Sequence, residues 1–204
     1  NYTISAISSG NQQYGILITD IEGNDLSMLE YVTGQFGTTF YIQSLMNKLQ
    51  SQSVTDELTN IYNRRGILDE LAKGSQKIAL GEKAYLVFID LDGLKFINDT
   101  FGHDAGDKAI KLGTEIIKAT FPHQIVGRWG GDEFVIFIKD VSKEYIHSLD
   151  KRIEENTKNL SDLYNYPFSL SLSYGVSIIH SGDTPEQITQ IIEDADNRMY
   201  CYKK

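Results

Sequence analysis

Hydrophobic and polar residues follow two different patterns along the chain. Residues 14–21 form a short apolar run that predicts a strand, and the positions after it predict a long helix. Large apolar side chains recur there at spacings of three to five: Leu29, Val32, Phe36, Phe40, Leu45 and Leu49. From Asp56 onward, short helical and strand-like patterns alternate. We therefore divide the chain into residues 1–52 and residues 53–204.

The longer part predicts a split βαβ arrangement. Its pattern indicates, in order, a helix over 63–74, a buried strand over 84–92, a helix over 104–120, a hairpin of 124–129 with 133–140, a helix over 142–160, a half-exposed strand over 167–179 and a last helix. Thr184, Pro185 and Gln187 form a capping box with proline in the first turn of that last helix. After an opening helix this order is β-α-β-β-α-β, which predicts an α+β, ferredoxin-like fold with an N-terminal helical connector.

Charge and cysteine content restrict the class of function. Lys and Arg number 19 against 28 Asp and Glu, a net charge of −9, and no basic patch is visible, so we expect no nucleic-acid partner. The single Cys201 excludes an internal disulfide framework and a cysteine-rich zinc site. No run approaches the ~20 apolar residues that span a bilayer. We therefore expect a cytoplasmic segment without direct membrane contact, cut from a longer protein that can itself be membrane-tethered, since the chain opens on Asn1.

Carboxylates fall at two predicted strand boundaries. Asp90 and Asp92 end one strand, and Asp132 and Glu133 follow the glycines of the hairpin turn. In a split βαβ fold these strands are neighbours, so the carboxylates converge into a hard-oxygen site suited to Mg²⁺ or Mn²⁺. Such sites act on phosphoryl groups. Any one of these residues by itself fits a solvated strand end equally well or better, but their joint arrangement favours a metal site.

The segment GLKFINDTFGHDAGDKA, interpreted as a glycine-rich loop, carries polar side chains suited to a nucleotide: Lys95, Asn98, His103 and Asp107. An Asn and an Asp can together read guanine, and a Lys can meet a phosphate. Alternatively, Asp104 caps the following helix and Asp107 favours its positive end. The local chemistry leaves both interpretations open. His103 has no second histidine at ligand spacing, so we expect it to form hydrogen bonds within the loop.

Five ordered motifs of the longer part resemble those of the GGDEF-domain diguanylate cyclases. They are DELTNIYNRR at 56–65, FIDLDGLKFINDTFGHDAGD at 88–107, GGDEF at 130–134, SLSYGVS at 171–177 and ADNRMYCYKK at 195–204. The resemblance implies a nucleotidyl-cyclase-like palm domain that condenses two GTP molecules to cyclic dimeric GMP (c-di-GMP) and releases pyrophosphate. It also implies a two-metal mechanism at a homodimer interface, in bacterial second-messenger signalling.

The resemblance assigns roles to individual residues. Asp90, Asp132 and the backbone carbonyl of Leu91 would bind Mg²⁺ or Mn²⁺, two ions per active site, with Glu133 as a further ligand. Asp132 is the expected base for the 3′-hydroxyl. Asn98, Asp107 and His103 match positions that contact the guanine or other parts of the substrate. Lys95, Arg128 and Lys203 match positions that contact phosphates or stabilise the transition state. Gly130 and Gly131 match substrate-binding positions in the turn.

One position departs from the family pattern. Members with product inhibition carry an Arg-x-x-Asp motif shortly before the signature, and here Phe121 and Gln124 stand in its place. That site would therefore lack its bidentate phosphate contact and its guanine acceptor.

Residues 1–52 resemble the last strand and final helix of a GAF-like sensor domain. This helix could pair with a second copy as a signalling helix, or it could only pack on its own strand, and the sequence leaves both open.

Two other functions compete with diguanylate cyclase activity. A GTP-binding regulatory domain without turnover would keep the same motifs, and a mononucleotide cyclase would share the palm and the two-metal chemistry. The intact acidic and loop residues weigh against the first alternative, and the GGDEF hairpin weighs against the second. The charge and the absence of finger or thumb segments exclude a DNA polymerase.

Overall fold

The computed structural model describes residues 2–20 and 26–202. It divides into two compact units, Asn1–Ser53 and Val54–Lys204. The first unit pairs β1 (Thr3–Ser9) with β2 (Gln12–Thr19) as an antiparallel hairpin, which is followed by α1 (Leu26–Gln52). The hydrophobic pattern predicts β2 and α1 but not β1, because TISAISS is rich in small polar residues. None of the helices in the described ranges is long and apolar enough to cross a membrane.

Part of the predicted apolar stripe of helix α1 remains exposed. Leu29 and Thr33 are buried, at 4% and 6% exposure, whereas Phe36 remains 48% exposed. A Cβ atom at Gly37 would lie 2.0 Å from the Ser8 carbonyl oxygen. The helix backbone therefore approaches the hairpin too closely for the larger side chains to fill that face.

The second unit contains the predicted sheet. Its elements are α2 (Arg64–Ser75), β3 (Lys83–Asp92), α3 (Leu94–Phe101), α4 (His103–Thr120), β4 (Ile125–Arg128), β5 (Glu133–Ile138), α5 (Lys143–His147), α6 (Leu149–Tyr164), β6 (Ser171–His180) and α7 (Pro185–Tyr202). The strand order is β4-β5-β3-β6, and every neighbouring pair is antiparallel. This confirms the ferredoxin-like arrangement.

Three local predictions are wrong. The stretch from Leu94 to Phe101, interpreted as part of a loop, is a helix. Leu94 and Ile97 are three residues apart, so both side chains lie on the buried face of this helix. The helix predicted over 142–160 is interrupted at Ser148, whose hydroxyl donates to the Tyr145 carbonyl. Asp104 lies in the first turn of α4 rather than at its N-cap, which is a glycine.

Apolar side chains cover both faces of the sheet. One face, with Ile89 and Phe134, packs on a cluster that includes residues of α4 and α6. The other face, with Phe88 and Val135, packs on α2 and α7. Because side chains alternate along a strand, Asp90 and Glu133 continue the series that faces α2 and α7. The acidic residues therefore cap one end of this second core layer.

Helix α7 and β6 approach each other closely at Gly175. A Cβ atom there would lie 2.1 Å from the Ala195 carbonyl oxygen and 2.6 Å from the Met199 nitrogen. The capping box that starts α7 is confirmed: the Thr184 N–H donates to Gln187 Oε1 at 2.8 Å, and the Gln187 N–H donates to Thr184 Oγ1 at 3.3 Å. The start of the helix and its close contact with the strand together fix the position of α7.

We expect Gly175→Ala to lower the free energy of unfolding of the second unit by about 2 kcal/mol, because the added methyl group meets backbone atoms that cannot rotate away. Urea unfolding followed by the fluorescence of Trp129 measures this loss. Gly131→Ala is the matched control, since no atom lies within 4 Å of the Cβ position there. Equal losses in the two variants would contradict the close approach of α7 to β6.

Candidate functional site

The pairing of β3 with β5 brings the predicted acidic residues together. Asp90 lies directly opposite Glu133 in the antiparallel register. One residue further, the Leu91 N–H donates to the Asp132 carbonyl at 3.0 Å, so the ladder continues into the turn. Asp90, Asp132 and Glu133 are all half-buried. The register therefore places Asp90 and Glu133 side by side at one end of these two central strands, with Asp132 in the adjoining turn.

Asp92 shares a face with Asp90 but has a different environment. The hydroxyl groups of Ser171 and Ser173, on β6, donate to its carboxylate at 2.9–3.0 Å. These bonds tie the end of β3 to β6 and occupy lone pairs that a metal would need. Asp92 is thus better suited to hold the strand end in place than to bind a ligand.

A fourth carboxylate, that of Asp196, belongs to the same cluster. Neither the hydrophobic pattern nor the roles assigned from the motifs identify it. Burial raises the pKa of Glu133, and the negative charges of Asp132, Asp196 and Asp90 raise it further, in that order of effect. The Arg64 charge opposes them. Asp196 comes from α7 and is half-buried. Its position in the closing motif ADNRMYCYKK is the only signal in the sequence that could have identified it.

The donor set fits a hard cation that shares its coordination with a ligand. Within residues 2–20 and 26–202, no three acidic, histidine or cysteine side chains are grouped closely enough to hold a metal by themselves. Asp90, Asp132 and the Leu91 carbonyl nevertheless offer hard oxygen donors at one strand end. Mg²⁺ commonly takes one or two carboxylates and completes its shell with water and substrate phosphates. The clustered negative charge at Glu133 is the feature that a divalent cation would compensate.

The turn between β4 and β5 is tight, although its two glycines do not adopt the left-handed conformation that glycine permits. The Trp129 N–H donates to the Glu133 carbonyl at 2.8 Å, which closes the reversal. Neither Gly130 nor Gly131 has a positive φ angle. A Cβ at Gly130 would instead lie 2.5 Å from Glu133 Oε2. The absence of a side chain at Gly130 leaves room for the carboxylate in this rotamer.

Arg128 holds this turn from one side. Its Nη1 donates to both carboxylate oxygens of Asp56, at 3.1 and 3.2 Å. Its Nε and Nη2 donate to the carbonyls of Gly130 and Gly131, at 2.7 to 3.2 Å. The guanidinium therefore connects residues 54–63, the leading segment of the second unit, to the hairpin turn. A phosphate could reach Arg128 only by displacing some of these bonds.

The leading segment is itself attached to β4. Tyr62 forms isolated β-bridges with Thr55 and with Gly127. The Arg128 N–H donates to the Tyr62 carbonyl at 2.7 Å, and the Tyr62 N–H donates to the Val126 carbonyl at 3.3 Å. Residues 54–63 thus follow the free side of β4 and place Asp56 beside Arg128.

The predicted guanine and phosphate residues lie on the α3–α4 corner, directly after the end of β3. Asn98 Oδ1 would lie 2.0 Å from a Cβ at Gly106, so this glycine lets the amide side chain rest against α4. Gly102, at the corner between the two helices, has a φ of 85°, which favours glycine. Three further predicted residues, Lys95, His103 and Asp107, are exposed. Lys203 lies outside the described residues.

Comparison with known proteins connects this geometry to one family. The model of the family described as "Diguanylate cyclase, GGDEF domain" matches residues 53–204. In Escherichia coli, the diguanylate cyclase DgcP is 34% identical over 161 residues, covering 76% of this chain and 46% of that protein. The probable diguanylate cyclase DgcT of the same organism is 32% identical over 170 residues, covering 80% of this chain and 36% of that protein. The chain thus spans less than half the length of both.

A solved structure is similar as well. The GGDEF domain of DgcB from Caulobacter crescentus, in complex with c-di-GMP, is 26% identical with a TM-score of 0.61, covering 74% of this chain and 91% of that one.

We expect Asp56→Asn to lower the free energy of unfolding of the second unit by about 1 kcal/mol at pH 7, because the neutral amide loses its ion pair with Arg128 in a partly exposed site. Burial, the largest influence, raises the pKa of Asp56, but hydrogen bonds from Thr59 and the Arg128 charge outweigh it and leave the pKa below the ordinary value. The stabilisation is therefore complete above the unfolded-state pKa of about 4 and disappears as the pH falls through the lower folded-state pKa.

Urea unfolding of both proteins at pH 7, 5, 4 and 3 tests this dependence. The difference between them should be constant from pH 7 to 5 and shrink below pH 4. Glu57→Gln, at the exposed neighbouring position, controls for a general loss of negative charge. A difference that grows toward low pH would contradict the assigned ion pair.

Proposed function

The chain belongs to the family of diguanylate cyclase GGDEF domains, and from this premise we propose that residues 53–204 condense two GTP molecules to c-di-GMP with release of pyrophosphate. The observation that carries the proposal is the register of β3 and β5, which sets Asp90 opposite Glu133 and links Leu91 to Asp132. The complex of the related DgcB domain with c-di-GMP supports the same chemistry.

The acidic end of the sheet would hold the reacting groups. Asp90, Asp132 and the Leu91 carbonyl would hold Mg²⁺ or Mn²⁺, two ions per site, with Glu133 as a further ligand. These ions, when bound, neutralise phosphate charge and acidify the attacking hydroxyl. Asp132 accepts the proton of the 3′-hydroxyl as it attacks the α-phosphate of the second nucleotide, and pyrophosphate leaves.

The α3–α4 corner would hold the substrate. Asn98 and Asp107 bind the guanine edge, where a carboxylate accepts from N1–H and the amino group. His103 lies beside them on the exposed corner and contacts the nucleotide. Lys95, in the first turn of α3, contacts the phosphates, as does Lys203.

Catalysis requires two copies, because each domain holds one GTP and the product contains two nucleotides. Helix α1 exposes many apolar side chains within the first unit, which supports pairing with a second copy: Met28, Tyr31, Phe36, Tyr41, Ile42, Leu45 and Met46. We propose that residues 1–52 are the tail of a GAF-like sensor domain and a signalling helix. The signalling helix would bring two catalytic domains face to face in the cytoplasm.

The direct test is incubation of the chain at high concentration with GTP and Mg²⁺, followed by mass analysis of the nucleotides. We expect c-di-GMP from the native chain and at least a hundredfold less from Asp132→Ala, since removal of a group that acts in the transition state costs about two to three orders of magnitude. A cyclic mononucleotide would contradict the proposed product.

An absence of product, even with two chains joined by a fused coiled coil, would favour the GTP-binding regulatory function instead. The fused coiled coil removes weak dimerisation as a cause of inactivity.

We further expect no product inhibition through the surface at Phe121 and Gln124. Phe121 is 1% exposed, and Gln124 exchanges hydrogen bonds with the backbone of Lys139 at 3.2 and 3.5 Å. Neither side chain offers the guanidinium fork or the carboxylate that would hold a guanine nucleotide. Rates measured with and without added c-di-GMP test this prediction. Low-micromolar inhibition that Gln124→Ala relieves would contradict it.

A further inference from the structure

Two arginines flank the turn that carries the acidic residues, and their surroundings differ. Arg128 uses its donors on Asp56 and on the carbonyls of Gly130 and Gly131. Arg64 lies with its guanidinium carbon 4.3 Å from the centroid of the Trp129 ring. Among the residues that the structure describes, the donors of Arg64 have no hydrogen-bond or ion-pair partner.

The backbone that carries Arg64 is firmly held. Arg64 is the first residue of α2, after the N-cap Asn63. The Asn63 side chain accepts from the Gly66 N–H at 2.9 Å and donates to the Thr55 carbonyl at 3.2 Å. The Asn63 N–H also donates to the Val54 carbonyl at 3.0 Å. The arginine therefore projects from a fixed point, and the indole face limits where its head group can lie.

The indole surface restricts the position of the Arg64 head group, which lies over the Trp129 ring. A guanidinium that stacks on an aromatic face keeps its N–H groups in the plane parallel to the ring, where they remain open to an acceptor. Trp129 is part of the turn itself, because its N–H donates to the Glu133 carbonyl. The Trp129 ring packs against the core cluster that includes Phe88 and Val135, on the strand face that Asp90 and Glu133 continue, so the guanidinium lies on the same side of the sheet as these carboxylates.

We propose that Arg64, held on the face of Trp129, binds a phosphate group of the nucleotide that occupies the acidic site. Arg128 is then a positioning residue that shapes the turn, and the phosphate role that the family resemblance implies for it passes to Arg64. A planar guanidinium matches two phosphate oxygens at once, which a lysine cannot do. This inference rests on the proposed function, since it requires a nucleotide at Asp90 and Asp132.

Displacement of a fluorescent GTP analogue tests the proposal, with Ca²⁺ in place of Mg²⁺ to limit turnover. GTP and guanosine serve as competitors, and guanosine has no phosphate. We expect Arg64→Gln to weaken GTP binding roughly tenfold and guanosine binding less than twofold. Arg65→Gln removes the same charge from the next residue of α2. It should change the dissociation constants of GTP and of guanosine by no more than twofold. Trp129→Leu should weaken GTP binding in the same direction as Arg64→Gln.

The outcomes separate this inference from the proposed function. If the native chain binds GTP and Arg64→Gln binds it with the affinity of the native chain or of Arg65→Gln, the role of Arg64 is overturned. The cyclase proposal would then remain in place. Equal loss of GTP and guanosine binding in Arg64→Gln would indicate a structural role only and would also overturn the inference. A native chain that binds no GTP would overturn both. Partial recovery of GTP affinity in Arg64→Lys would support the phosphate contact.

Discussion

The antiparallel register between β3 and β5 is the constraint on which the site depends. It sets Asp90 opposite Glu133, and the bond from Leu91 to the Asp132 carbonyl extends the ladder into the turn. Because side chains alternate along a strand, a slip of one residue would move each carboxylate to the opposite face. The buried side chains of both strands, such as Phe88 and Val135, oppose that slip. The hydrophobic core of the second unit therefore fixes the geometry of the acidic cluster.

A second set of contacts fixes the turn that continues this ladder. Tyr62 joins the leading segment to β4, and Asp56 then receives Arg128, which in turn holds the glycine carbonyls. Glycine at position 130 leaves space for the Glu133 carboxylate. The leading segment lies directly after the boundary of the two units. The Arg128 guanidinium therefore connects this segment to the turn that carries the acidic residues.

Hydrophobic periodicity predicted most of the sheet and its helices, because both faces of the sheet are buried and the signal is strong. It failed for β1, whose residues are small and polar, and for α3, whose glycine-rich flanks resemble a loop. The predicted pairing of neighbouring strands brought Asp90 together with Asp132 and Glu133. The sequence did not reveal that Arg128 is engaged by Asp56, that Arg64 lies over Trp129, or that Asp196 joins the cluster. Those three facts depend on contacts between segments distant in the sequence, which no local pattern encodes.

We propose that the paired ends of β3 and β5 bind a divalent cation together with a nucleotide. Paramagnetic broadening of amide resonances is the most direct test of this binding. Mn²⁺ would be titrated into the isotopically labelled chain with a non-hydrolysable GTP analogue while amide resonances are recorded. We expect the amides of Asp90, Leu91, Asp132 and Glu133 to broaden first, and Asp90→Asn combined with Asp132→Asn to remove the effect. Broadening centred elsewhere in the second unit, or unchanged in the double variant, would contradict it.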